Sequence, residues 1–231
     1  MKTKMVVLVD NEKGDGLIAS WGLSIYIERN DFKLLFDTGD NPEVLIKNAE
    51  KLDIDLSKID TLVFSHNHYD HTGGFPYIGN ITDRIPVYIP EKGMTKAVEG
   101  YGLKPIYVKG TLKIHPNFTL YKFEGPIPEQ SLIAESNGKN FLVVGCSHPK
   151  IENMLVEIIQ KMGIGIFGII GGFHLYTETL ERFKRIKEIF VKMGVKEIYP
   201  IHCTGKSARE FFSKELKGIY KGGKGGTRIE F

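Results

Sequence analysis

Directly after the apolar run Thr61–Ser65, the segment Ser65-His66-Asn67-His68-Tyr69-Asp70-His71-Thr72-Gly73-Gly74 carries three of the chain's seven histidines and one aspartate. An apolar run without alternation reads as a strand buried on both faces, so the polar cluster sits where a buried strand ends. Imidazole and carboxylate are the usual nitrogen and oxygen ligands for zinc and similar cations. His66 and His68, two apart, can lie on one side of an extended loop and close around one metal. Asp70 and His71, further round the turn, can face a second. Gly73 and Gly74 are expected to let the backbone turn sharply. The plain alternative is a histidine-rich surface loop without metal.

The remaining histidines weigh against that alternative. His148 follows the expected strand Asn140–Val144, His174 follows Ile164–Ile170, and His202 follows Lys196–Ile201. Each lies at or just past the carboxyl end of an expected buried strand, where α/β folds gather site residues. Six of the seven histidines share such positions, and His115 is expected to be an ordinary surface residue. Asp37, after the strand Lys33–Phe36, reads as a turn or helix-cap aspartate, or as a carboxylate holding a ligand imidazole in one tautomer. Cys146, in Gly145-Cys146-Ser147-His148, reads first as a small buried apolar residue, with thiolate ligation as the alternative.

Further strands are expected at Lys4–Val9, Leu23–Glu28, Pro86–Ile89, Ile106–Val108, Phe118–Lys122 and Leu132–Glu135, with an Asn137-Gly138 hairpin turn before Asn140. Helical spacing appears over Asn41–Leu52, where Pro42 suits the first turn, and over Ile151–Met162, Glu178–Met193 and Ser207–Leu216. Thr227–Phe231 is a candidate edge strand. Strands first, then strand–helix repeats, imply sheets with helices packed outside them: a layered αββα arrangement or an α/β sheet, in one domain over residues 1–231.

Composition narrows the function classes. The 231 residues include 31 Lys+Arg and 28 Asp+Glu, a net charge of +3 that is too weak to suggest nucleic acid. The longest uncharged apolar run, Gly163 to Phe173, is about half the ~20 residues a membrane helix needs. Two cysteines make no disulfide framework. A cytoplasmic protein acting on a small molecule is expected, without nucleic-acid or membrane partners; the oligomeric state is not legible.

The constellation resembles the metallo-β-lactamase superfamily, whose signature His-x-His-x-Asp-His stands here as His66-Asn67-His68-Tyr69-Asp70-His71. The resemblance runs from Asp37 through the signature to His202. It implies a four-layer αββα sandwich (α+β or α/β in class) with a two-metal site between the sheets. His66 and His68 would bind the first metal; Asp70, His71 and His202 would bind the second. The usual bridging aspartate of a Gly-Asp pair is replaced by Cys146 after Gly145, and no histidine lies between Lys122 and Gly145. His148 is therefore expected as a compensating ligand, with His174 or Cys146 as alternatives. The motifs Gly145–His148, Gly171–Leu175 and Ile201–Gly205 look like the branch containing the 7,8-dihydropterin-6-methyl-4-(β-D-ribofuranosyl)-aminobenzene-5′-phosphate synthases.

That resemblance implies one or two Zn2+ ions, with Mn2+ or Fe2+ as alternatives, and a hydrolase or pterin-related synthase acting on a small phosphorylated or pterin-like substrate. Zinc lowers the pKa of a bound water to near 7, making hydroxide available at neutral pH. Asp70 and His174 are the expected catalytic residues, His174 as proton carrier to the leaving group. Thr204 and Lys206, before the helix Ser207–Leu216, are expected to meet a substrate phosphate, with plain helix capping as the alternative. A nuclease or phosphodiesterase of the same superfamily, an iron-containing redox relative, and a non-catalytic metal-binding protein are the competing readings. His68 favours zinc over iron, and the full ligand set disfavours loss of catalysis.

Overall fold

The computed structural model describes residues 2–231. The first half runs β1 (Lys4–Val9), β2 (Ser24–Arg29), β3 (Phe32–Phe36), α1 (Pro42–Lys51), β4 (Thr61–Val63), α2 (Tyr69–Thr72), α3 (Phe75–Ile81), β5 (Pro86–Ile89), α4 (Thr95–Gly100) and β6 (Lys104–Tyr107). The second runs β7 (Thr111–His115), β8 (Phe118–Phe123), β9 (Glu129–Ser136), β10 (Lys139–Val144), α5 (Ile151–Met162), β11 (Gly168–Gly172), α6 (Leu180–Lys192), β12 (Glu197–Ile201), α7 (Lys206–Glu215) and β13 (Arg228–Glu230).

The strands form two sheets, ordered β13-β1-β2-β3-β4-β5-β6 and β12-β11-β10-β9-β8-β7. Alternation along single strands assigns the layers. Met5 and Val7 point into the same cluster as Phe118, Leu132, Phe141 and Val143, between the sheets. Val6 and Leu8 point the other way, onto Val44 and Leu45 of α1, Ile78 of α3 and Val98 of α4. Leu142 and Val144 meet Leu155 of α5, Phe183 of α6 and Phe212 of α7 on the outer face of the second sheet. Period-2 alternation thus builds three apolar interfaces and four layers, αββα. The alternative of a single α/β sheet is set aside by this pairing.

Local chemistry sets the ends of the elements. Asn41 caps α1, accepting from the Glu43 amide at 2.9 Å with Pro42 in the first turn. Asn137 and Gly138 take φ of 51° and 74°, the paired positive values of a tight hairpin turn. The strand expected at Ile164–Ile170 lies instead at Gly168–Gly172. It pairs in parallel with both β10 and β12, Gly168 facing Phe141 and Glu197, and so begins level with β12 and two residues into β10. Thr227–Phe231 is an edge strand as expected, but it crosses to the first sheet and pairs with β1, Ile229 facing Met5. His115 is not an ordinary surface residue. It closes the sandwich edge, stacked on Phe32 at 4.6 Å, and burial pushes its pKa down. Among the described residues, no helix is long and apolar enough to cross a membrane.

Candidate metal centre

The site lies along one edge of the sandwich, where the strands of both sheets end. Asp10 follows β1, Asp37 follows β3, and Ser65 and His66 follow β4 from the first sheet. Cys146 and His148 follow β10, His174 follows β11 and His202 follows β12 from the second. Asp37, Ser147, His174 and His202 take φ between 50° and 59°, the left-handed region that costs a non-glycine residue roughly 1–2 kcal/mol. Four strained residues around one point are typical of a site whose geometry the surrounding fold imposes.

Four imidazoles are held by one ring nitrogen, leaving the other bare. His71 Nδ1 lies 2.7 Å from Asp37 Oδ2, His148 Nδ1 lies 2.9 Å from Glu129 Oε2, and His202 Nδ1 lies 3.0 Å from Asn11 Oδ1. Each oxygen only accepts, which places the proton on Nδ1 and the lone pair on Nε2. His66 Nδ1 is 2.9 Å from Ser65 Oγ, and that hydroxyl already donates to Asp37 Oδ2 at 2.6 Å, so it accepts from His66.

The bare nitrogens converge. His66 Nε2 is 3.0 Å from His68 Nδ1, close to the ~3.3 Å that two nitrogens on one tetrahedral cation adopt at bond lengths of about 2.0–2.1 Å. His71 Nε2 is 3.2 Å from Cys146 Sγ and 3.7 Å from Asp70 Oδ2, and His202 Nε2 is 3.3 Å from that same carboxylate oxygen. Ligand atoms of Asp70, His71, Cys146 and His202 all lie within 4.8 Å of one another, as do those of His66, Cys146 and His148. A buried His202 Nε2 without a hydrogen-bond partner is what a ligand nitrogen awaiting a cation looks like. The donor set of imidazoles, one carboxylate and one thiol suits zinc and related divalent cations.

Electrostatics favour the ligand-competent forms of His66, His68 and Asp70. Burial, reinforced by the neighbouring His71 and His148, holds His66 well below the usual histidine range, and His68 is lowered too. Burial raises Asp37 against the pull of His71. It would lower His71, but the Asp37 carboxylate outweighs it. Burial would also raise Asp70, yet the His202 and His71 imidazoles bring its carboxyl down to about 2. Glu129, fully buried, stays below the ordinary carboxylate value because His148 and the amides of Ser147 and His148 offset the cost of burial.

The fold therefore brings together His66, His68, Asp70, His71, His148 and His202. His174 stands beside them, its ring 4.9 Å from that of His148 and its buried Nδ1 without a hydrogen-bond partner. The neighbouring Cys203 sulfur raises its pKa against the effect of burial. Cys146 is buried as expected but is surrounded by ligand atoms rather than by apolar side chains alone, a setting that the apolar reading did not anticipate. Thr204 is fully buried. Its buried hydroxyl donates to Ile201 O at 2.7 Å and accepts from the Phe173 amide at 3.1 Å. Lys206 is the first residue of α7, 88% exposed, with Glu210 at 3.9 Å. Gly73 and Gly74 do not make a sharp turn. Both are right-handed, and a Cβ there would come within 2.2 Å of Asp40 O and 2.4 Å of Thr38 O, so close backbone approach is what demands glycine.

Sequence reasoning missed Glu129, Asp10, Asn11 and Ser65. Glu129 accepts from three successive amides, Cys146 at 3.1 Å, Ser147 at 2.8 Å and His148 at 2.8 Å, as well as bonding His148 Nδ1. Asp10 Oδ1 accepts from the His202 amide at 2.7 Å. The available signals were a glutamate three residues before the apolar run Leu132–Ala134 and an Asp-Asn pair directly after the apolar strand β1.

Beside His202 opens a cleft of about 290 Å3, whose lining includes Asn11, Trp21, Tyr176 and Lys206. Trp21 and Tyr176, each about half exposed, meet edge to face at 6.4 Å, and the Trp21 ring is 5.6 Å from that of His202.

Comparison with known proteins agrees with this geometry. The family model for the metallo-beta-lactamase superfamily matches residues 22–149. The chain is 30% identical to the 7,8-dihydropterin-6-methyl-4-(beta-D-ribofuranosyl)-aminobenzene-5'-phosphate synthase of Methanocaldococcus jannaschii, over 91% of this chain and 90% of that protein. Among solved structures it is similar to Tm1679, a metal-dependent hydrolase of the beta-lactamase superfamily, with a TM-score of 0.86 and 26% identity over 99% of both chains. The metallo-beta-lactamase fold protein YhfI from Bacillus subtilis shares the fold at a TM-score of 0.73 and 15% identity, over 100% of both chains.

Proposed function

The chain belongs to the metallo-beta-lactamase superfamily, and from that premise we propose that it is a metal-dependent hydrolase, or a pterin-related synthase, acting on a small anionic substrate with a planar ring. The observation that carries this reading is the set of four imidazoles locked at Nδ1, with His68, Asp70 and Cys146 among their bare nitrogens. Divalent cations held there supply Lewis-acid polarisation of a substrate oxygen and an acidified water. The rest belongs to the chain. Asp37, Glu129, Asn11 and Ser65 orient the ligand imidazoles. His174 borders the centre with an uncommitted ring nitrogen, suited to passing a proton to a leaving group.

The aromatic cleft supports the substrate class. Trp21 and Tyr176 offer ring faces and edges beside His202, and Lys206 adds a loosely paired cation. The likeness to the methanogen synthase favours a phosphorylated, pterin-like molecule within that class. A nuclease reading has less support, since the net charge of +3 offers a polyanion little.

The test is metal content followed by turnover. Purified protein should contain transition metal and should cleave members of a panel of phosphodiesters, lactones and pterin phosphates, or convert the synthase substrates. Chelation should abolish the activity and zinc or manganese should restore it. Metal-free protein with full activity would overturn the proposal.

A further inference from the structure

Two ligand groups flank one atom. The cluster of Asp70, His71 and His202 and the cluster of His66 and His148 each include Cys146, and among the described residues no other side chain belongs to both. Its sulfur lies 3.2 Å from His71 Nε2, against the about 3.3–3.6 Å expected between nitrogen and sulfur on one tetrahedral zinc with bonds of roughly 2.0 and 2.3 Å. Two adjacent cations require a shared donor or a solvent bridge to offset their repulsion, and a carboxylate at this position would ordinarily do so. Here the position is cysteine.

The surroundings fix that sulfur. The Cys146 amide donates to Glu129 Oε1 at 3.1 Å, and the same carboxylate holds His148. The second cysteine, Cys203, lies 3.3 Å from Cys146, sulfur to sulfur, on the side towards His174. Cys203 shares a ligand group only with Cys146 and His174, so it reaches neither histidine cluster.

We propose that the Cys146 thiolate is a ligand shared by both cation positions, making this a sulfur-bridged two-metal centre in place of a carboxylate-bridged one, with Cys203 as its neighbouring thiol donor. The inference rests on the metal-dependent reading above. A thiolate makes the centre softer than an all-oxygen and nitrogen one and biases it towards zinc, iron(II) or cobalt(II) over magnesium or manganese.

Cobalt(II) tests this without any substrate. Protein stripped of metal and loaded with cobalt should take up two equivalents and show a thiolate-to-cobalt charge-transfer band in the near ultraviolet. Cys146→Ala should lose the band and retain at most one equivalent. Cys203→Ala should keep both. Cys146→Asp should bind two equivalents without the band, which guards against a variant that merely misfolds. Two equivalents bound by the unaltered protein with no such band would overturn the thiolate bridge alone. A band that survives Cys146→Ala but vanishes in Cys203→Ala would overturn it in favour of Cys203. No cobalt uptake at all would overturn the metal-dependent reading itself.

Discussion

Asp37 Oδ2 sits 2.7 Å from His71 Nδ1, and neither side chain has any exposure to solvent. The carboxylate also accepts from the Ser65 amide at 2.7 Å and the Ser65 hydroxyl at 2.6 Å, so one buried group orients both the His71 ring and the turn that launches His66. Ligand imidazoles lose affinity when such a partner is removed, typically 10- to 100-fold. Asp37→Asn should therefore weaken metal binding by about that factor. Zinc titration against a competing chromophoric chelator reads it, and unchanged affinity would show that Asp37 is a turn residue only.

Glu129 carries a pH-dependent share of stability. Its folded pKa is lowered, so the contribution is complete above the unfolded value of about 4.3 and disappears as pH falls through the lower folded value. Metal-stripped protein should lose more stability between pH 6 and pH 3 than metal-stripped Glu129→Gln does. At pH 6 the variant should be less stable by roughly 2–4 kcal/mol, from buried amides and an imidazole left poorly paired. Urea unfolding at the two pH values checks both statements.

Trp21 and Lys206 should separate binding from chemistry. Trp21→Ala and Lys206→Ala should each raise KM for the anionic ring substrate with kcat little changed. Lys206→Ala should leave stability within about 0.5 kcal/mol, because its ion pair with Glu210 is exposed. Steady-state kinetics on the substrate found in the panel, with a melting curve alongside, decides the point. A fall in kcat at constant KM would place these residues in the chemistry instead.

Gly145 is a point of close approach between the sheets at the site. A Cβ there would fall 2.2 Å from Ser65 Oγ and 3.2 Å from His66 Nδ1. Gly145→Ala should cost about 1–3 kcal/mol by overpacking and should lower metal occupancy by displacing His66. Thermal unfolding and metal analysis measure the two effects. Normal occupancy in the variant would mean that the sheets separate without disturbing the ligands.

The candidate ligands were legible in the sequence because each is a rare residue type at a strand end, and the eye can follow His66, His148 and His202 to such ends without knowing the fold. The helices Ile151–Met162 and Leu180–Lys192 were legible from apolar spacing over several turns. The short α3 and α4 were not, since seven and six residues hold too few turns for a period to emerge. Glu129 escaped for a different reason. Its partners are amides and an imidazole 17 to 19 residues away, brought near by strand pairing, and no local pattern announces them. Cys146 stayed open between two readings because burial and ligation predict the same residue type, and only its neighbours in space bear on the choice.

The signature loop after β4 belongs to one sheet, whereas Cys146, His148 and His202 belong to the other. A cation gripped by both would act as a clasp on a book whose pages are otherwise held together by apolar contacts and a few hydrogen bonds, such as that from the His202 amide to Asp10. Its binding free energy is then added to the whole sandwich and not to a single loop, growing with free metal as the linkage relation requires. Stripped of metal, the protein would then be easier to open, and so easier for proteases to clear.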